Sequence, residues 1–220
     1  RPMTFKSEGR EYFNERAIAT QQTGFVLIAQ MRSWLPDAVG GILWFGVDDA
    51  NTAVLTPMYA SITEIPECYR RGNGSMTEFS WTSAFWIHNW VANMAYNRYE
   101  PMIRDIRPVQ KELEDSYVDL VKNTDAKALE LLKSSPAQAT AYLTEVCGKV
   151  ANEATARWKK LGEYLLVKYM DGNVKKEKDG KFEENGYGQI VSPNFPGYSQ
   201  DYYDQVAKSG EAKHLEVPQK

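Results

Sequence analysis

The chain has 220 residues, with 26 basic and 29 acidic side chains, a net charge of −3 and 43% hydrophobic residues. That length can bury one sizeable core, or one core with an appendage. The charge balance gives no electrostatic reason to bind nucleic acid or an anionic membrane. Gly, Asn, His or a charge interrupts each apolar run before it could span a bilayer.

The first ten residues, Arg1 to Arg10, hold no hydrophobic signal core and do not begin with Met, so the chain is expected to have been processed or excised from something longer. Only two cysteines, Cys68 and Cys147, and two histidines, His88 and His214, occur. A disulfide scaffold is excluded, and no Cys-x-x-Cys or His-x-x-x-His pair points to zinc. No cofactor and no metal are expected.

In chain order, the first region reads as strands and turns. Phe25-Val-Leu-Ile-Ala-Gln is an apolar run between Thr23-Gly24 and Arg32. Ile42-Leu-Trp-Phe-Gly-Val follows a Gly40-Gly41 turn signal. Ala53-Val-Leu-Thr and Met58-Tyr-Ala-Ser-Ile are rich in strand formers and separated by Pro57, and Gly72-Asn-Gly-Ser marks a loop. From about Trp81 to Asp171 the periodicity becomes helical. Trp81 to Tyr99 is apolar except for a stripe of Asn89, Asn93 and Asn97, read as an internal polar network. Pro108 is expected to kink or restart the next helix, and Asp125 to cap a short one through Leu132. Ser135-Pro-Ala-Gln138 opens a long helix with the stripe Leu143, Val146, Val150, Ala154, Trp158, Leu161 and Leu165, ending at Asp171-Gly-Asn173. Gly148 or Gly162 is expected to bend it. Residues 174–220 are charged and rich in Gly, Pro and Tyr, and read as an extended or partly disordered tail. Within it Lys178-Asp-Gly-Lys181 is a tight-turn signal. Strands segregated from helices define an α+β chain, with antiparallel strands at about 20–65 and a helical layer at about 81–171.

The densest chemistry lies between Arg32 and Ala50, where a guanidinium, two indoles, a Gly-Gly pair and the twin carboxylates Asp48-Asp49 are gathered. Arg32, Trp44 and Asp48 are the candidate substrate-pocket residues. Arg32 and Asp48 end apolar runs that a turn would bring together, and an Arg-carboxylate pair beside an indole suits a charged ligand. The same residues also fit a purely structural ion pair. Asp48 and Asp49 lack calcium-loop spacing. Cys68 with His88 could imitate a Cys-His hydrolase, but Cys68 has no basic setting to lower its pKa. Cys147 reads as core, and His88 as a hydrogen-bonded structural histidine.

Gln22-Thr-Gly-Phe, Gln30-Met-Arg-Ser-Trp-Leu-Pro-Asp, Gly40-Gly-Ile-Leu-Trp-Phe-Gly-Val-Asp-Asp-Ala, Ala84-Phe-Trp, Tyr96-Asn-Arg-Tyr and Lys168-Tyr-Met-Asp-Gly-Asn-Val together resemble the C-terminal half of the bacterial C69 (formerly U34) dipeptidases. The resemblance runs from about Arg1 to Val174, so that residues 1–173 form the C-terminal portion of the peptidase domain. It implies part of a four-layer αββα sandwich of the N-terminal-nucleophile hydrolases. It also implies a cysteine at the mature N-terminus whose own α-amino group serves as base. Arg1 offers no such nucleophile, so no catalytic residue is carried onto this chain, which is expected to be inactive alone. The implied partners are a dipeptide or short-peptide substrate and the missing N-terminal half of the same protein. Oligomeric state stays open, as does a cytoplasmic or exported location. Two alternatives also stay open: an amidase or acyltransferase acting on a non-peptide amide, and a non-catalytic binding or assembly module.

Overall fold

The computed structural model describes residues 3–15, 17–209 and 217. Arg1 and His214 therefore lie outside the described residues. The chain divides into two compact units, Arg1–Leu166 and Val167–Lys220.

The first unit is α+β, with its strands ahead of its helices. A hairpin of β1 (Thr4–Ser7) and β2 (Arg10–Phe13) precedes a three-stranded antiparallel sheet of order β3-β4-β5, formed by Phe25–Met31, Gly41–Val47 and Thr56–Tyr59. The register runs Phe25 opposite Val47 to Met31 opposite Gly41, and Ile42 opposite Tyr59 to Phe45 opposite Thr56. Side chains alternate between faces. Ile28, Trp44 and Tyr59 share one face, and Phe25, Phe45 and Thr56 the other.

Gly40 and Gly41 do not form the expected turn. A short helix α1 (Asp37–Gly40) makes the reversal and Gly41 already belongs to β4. Both glycines serve close approach: a Cβ on Gly40 would lie 3.1 Å from the Arg32 carbonyl, and one on Gly41 3.1 Å from the Ala60 methyl. Pro57 does not separate two strands either. It lies within β5, opposite Trp44, where an outer strand tolerates a residue without N–H. Residues 53–55 form the loop before it.

Three helices follow: α2 (Ala84–Asn97), α3 (Tyr99–Ser134) and α4 (Pro136–Tyr169). Ser135 alone links α3 to α4, and its hydroxyl accepts from the Gln138 amide, as the capping signal predicts. α3 is continuous through Pro108, so no fresh helix starts there. Arg107 and Gln110 on either side donate to the carbonyls of Asn51 and Ala53, so tertiary bonds hold the segment that a lost backbone bond would loosen. α3 and α4 run antiparallel: the Lys127 ammonium lies over the Tyr142 ring near the link, and Arg157 pairs with Glu112 further along.

The core gathers Val39, Ile42, Met58 and Tyr59 from the sheet region, Val121 and Ala128 from α3, and Leu143, Cys147 and Ala151 from α4. α2 buries Ile87, Val91, Ala92 and Ala95. His88 stacks on Trp158 of α4 with centroids 4.9 Å apart. Gly162 admits the Trp90 ring, whose nearest atom would sit 2.5 Å from a Cβ. The two edges of the sheet differ. At β5 the Tyr59 amide donates to the Cys147 sulfur. Among the described residues no strand pairs with the far side of β3, and its Phe25, Leu27, Ile28 and Met31 side chains are exposed.

In the second unit, left-handed Asp171 and Gly172 stop the helix where the sequence signal lies. Lys178-Asp-Gly-Lys181 forms the expected tight turn, with Asp179 and Gly180 at positive φ between β6 (Glu177–Lys178) and β7 (Lys181–Phe182). A nine-residue helix, α5 (Gln200–Lys208), capped by Ser199, forms within the stretch that the sequence marks as a tail. Among the described residues no helix is long and apolar enough to cross a membrane.

Candidate functional site

Arg32 follows β3 and is buried. It does not pair with Asp48 or Asp49, as the strand ends suggested. Its guanidinium holds both carboxylate oxygens of Asp125 on α3 and donates to the carbonyls of Val39 and Gly40. The antiparallel register explains the difference: it puts Met31 beside Gly41 and Phe25 beside Val47, so Arg32 and Asp48 stand at opposite ends of the sheet. Asp125 is thus the ion-pair partner within α3 rather than a helix cap. The Tyr59 hydroxyl also donates to it at 2.6 Å. Burial, with this carboxylate alongside, pushes the Tyr59 phenol far above its ordinary range.

Arg32 and Trp44 do share a groove. With Ile28, Gln30, Val118 and Asp125 they line a depression between the helix-facing side of the sheet and α3. The Trp44 indole donates to Gln30 at 2.9 Å. Four contacts already occupy the Arg32 guanidinium, so it acts on this groove as the anchor of its wall.

Asp48 lies at the other end of β4 in the left-handed region, at φ 66°, which aspartate tolerates better than bulkier residues. It is 1% exposed. Asn89 donates to its Oδ1 at 2.8 Å, whereas Oδ2 has no hydrogen-bond partner. Burial raises its pKa, partly offset by Asn89. Neighbouring Asp49 accepts from Tyr96 and Thr52. The rest of the β4-β5 loop is held by α3, where Glu114 accepts the Leu55 amide at 3.1 Å. Of the asparagine stripe, only Asn89 joins this network. Asn93 and Asn97 bond the preceding turn of their own helix on its exposed side.

Neither cysteine is placed as a nucleophile. Cys68 is 4% exposed and Cys147 1%. Burial raises both thiols, Cys147 to about 11. His88 is buried with Nδ1 unpartnered, which corrects the expected hydrogen bond: ring stacking on Trp158 holds it instead. Burial pushes its pKa down to about 3. Among the described residues no group of three or more His, Cys, Asp or Glu could hold a metal ion.

A separate cavity of about 310 Å³ opens on the opposite face of the sheet. Phe45, Val47, Tyr69, Phe85 and Trp86 line it, beneath a wall running from Arg70 to Met76. The sequence marks Gly72-Asn-Gly-Ser only as a loop. In the fold Asn73 accepts from Ser80 and Thr82 and donates to the Glu67 carbonyl, and Trp86 donates to the Ser75 carbonyl. Gly74, at φ 79°, packs so closely on Trp86 that a Cβ would lie 2.9 Å from the ring.

The profile of peptidase family C69 matches residues 3–112, half of the chain. A protein described as a probable dipeptidase from Latilactobacillus sakei is 30% identical over 143 residues, which cover 64% of this chain and 28% of that protein. The chain belongs to peptidase family C69. It spans little more than a quarter of the length of the relative it matches.

Proposed function

We propose that this chain is part of a cysteine-type dipeptidase that hydrolyses short peptides, its nucleophile lying on a stretch of polypeptide other than these residues. The match to family C69 and to a probable dipeptidase supports the peptidase reading, and the state of the two thiols carries the placement of the nucleophile. Both are buried in packing contacts and held protonated, the opposite of an activated nucleophile. The open β3 edge supports it further. An apolar strand without a charge, proline or bulge to guard it is a surface that another strand completes. In this reading the chain supplies a sheet, its helical layer and pocket walls. Arg32 and Trp44 wall the groove beside α3, and Asp48 shapes the opposite end of the sheet through Asn89.

The test compares dipeptide hydrolysis by the full-length protein, its Cys68→Ala and Cys147→Ala variants, and this chain alone. The expected result is turnover by the full-length protein that both substitutions leave within about twofold of the parent, and none by the chain. Turnover by the chain that vanishes in Cys68→Ala would overturn the proposal.

A further inference from the structure

We infer that the cavity beneath the 70–76 wall is the subsite for the C-terminal residue of the peptide, and that it selects an aromatic or branched aliphatic side chain. The inference rests on the dipeptidase reading and names the substrate class it prefers.

The pocket is built before any ligand arrives. Its floor is the Phe45 ring, fixed edge-on against Tyr69 at 5.2 Å between centroids. The Tyr69 hydroxyl is itself bonded to Thr56 at 2.9 Å. Its side is Trp86, locked by the Ser75 carbonyl and by the approach of Gly74. Preformed walls of this kind need little ordering when a side chain enters. At about 310 Å³ the volume is at the small end of ligand sites, which run from about 300 to 1,000 Å³. It suits one residue rather than a long peptide. Four aromatic rings and Val47 supply apolar surface for a side chain with matching bulk.

The charged side chain lining this pocket fixes which residue of the peptide enters. Arg70 lines it, exposed and tethered by Glu67 at 2.9 Å and by the Ile65 carbonyl. A guanidinium has further donors in a planar fork, which match the two oxygens of a carboxylate. A peptide's C-terminal residue joins a carboxylate to its side chain through one carbon, so it can place the former on Arg70 and the latter among the rings. The N-terminal residue brings an ammonium, which Arg70 repels.

Two measurements test this on the full-length protein. The first is the kinetics of Ala-Phe and Ala-Leu against Ala-Gly for the parent, Arg70→Gln and Met76→Trp. Met76 lines the mouth and is 84% exposed, so a larger residue there narrows the pocket without disturbing the core. The second is independent of turnover: the shift of the Trp86 indole N–H resonance on titration with N-acetyl-phenylalanine, against its amide as control. The expected results are a KM for Ala-Phe raised roughly tenfold in Arg70→Gln, selectivity for Ala-Phe over Ala-Gly lost in Met76→Trp, and a Trp86 shift with the acid that both variants weaken. A Trp86 shift without any dipeptide hydrolysis would overturn the dipeptidase reading, and with it the peptide subsite, and leave a pocket for a carboxylate joined to an aromatic side chain. Hydrolysis with no Trp86 shift and unchanged selectivity would overturn the pocket and leave the dipeptidase reading intact.

Discussion

Buried Arg32 and half-buried Asp125 form an ion pair across ninety-three residues, joining the end of β3 to the interior of α3. Tyr59 completes it from β5, so one carboxylate ties two strands to a helix. Removing it leaves a guanidinium buried without its counter-charge, which costs far more than the pair itself contributes. Asp125→Ala is therefore expected to destabilise the first unit by about 3 kcal/mol in urea unfolding. The double variant Arg32→Met with Asp125→Leu should lose much less. Equal losses in the two would mean that Asp125 acts mainly through Tyr59.

The two glycines of α4 should respond with opposite sign to the same substitution. Gly148→Ala meets nothing within 4 Å and gains helix propensity, so thermal unfolding should rise by the equivalent of about 0.5–1 kcal/mol. Gly162→Ala places its methyl in the Trp90 ring and should cost about 1–3 kcal/mol. Trp90→Leu should relieve part of that loss in the double variant.

His88 makes stability fall in acid. In the unfolded chain it takes up a proton near its ordinary 6.5, in the fold only near 3. Between those values the unfolded state binds more protons, so stability drops as pH falls from about 6.5 toward 3 and is unaffected by His88 above that window. Asp48 works in the other direction. Its raised pKa disfavours the fold as pH climbs past the ordinary aspartate range. His88→Phe keeps a ring on Trp158 and should flatten the acid limb of a pH-stability curve. An unchanged limb would place the acid sensitivity elsewhere.

The exposed β3 edge predicts self-association of this chain alone. Ile28→Lys puts a charge on a side chain that is already exposed. It should shift the sedimentation profile toward monomer and change unfolding free energy by no more than about 0.5 kcal/mol. In the full-length protein the same change should instead lower stability, if a strand there pairs with β3.

Much of this fold was legible because its signals are local. The segregation of β-rich runs from helical periodicity gave the α+β class, and the α4 stripe matched the buried face at Leu143, Val150, Ala154, Trp158, Leu161 and Leu165. Capping at Ser135 and the stop at Asp171-Gly172 are also short-range chemistry. What failed depended on partners far along the chain. Nothing near Arg32 names Asp125, and nothing near Asp48 names Asn89. Pro108 allows a helix restart that the bonds from Arg107 and Gln110 to the β4-β5 loop help α3 avoid. The aromatic cavity was invisible because Phe45, Tyr69 and Trp86 come from a strand, a short turn of helix and a long helix. The asparagine stripe carried the right signal for one residue in three.

The single-residue link at Ser135 also bears on the order of folding. Contacts such as Lys127 with Tyr142 close short loops, and the α3-α4 hairpin can gain them early. The sheet meets that hairpin through distant pairs such as Tyr59 with Val121 and Asp125, Tyr59 with Cys147, and Arg32 with Asp125. Those closures span sixty-two to ninety-three residues, and contacts of such separation slow the search for the native state. The expected order is therefore that the helical hairpin forms first, β3, β4 and β5 assemble on it, and the Arg32 lock closes last. Substitutions along the α3-α4 seam should slow folding, while those at Arg32 should chiefly hasten unfolding.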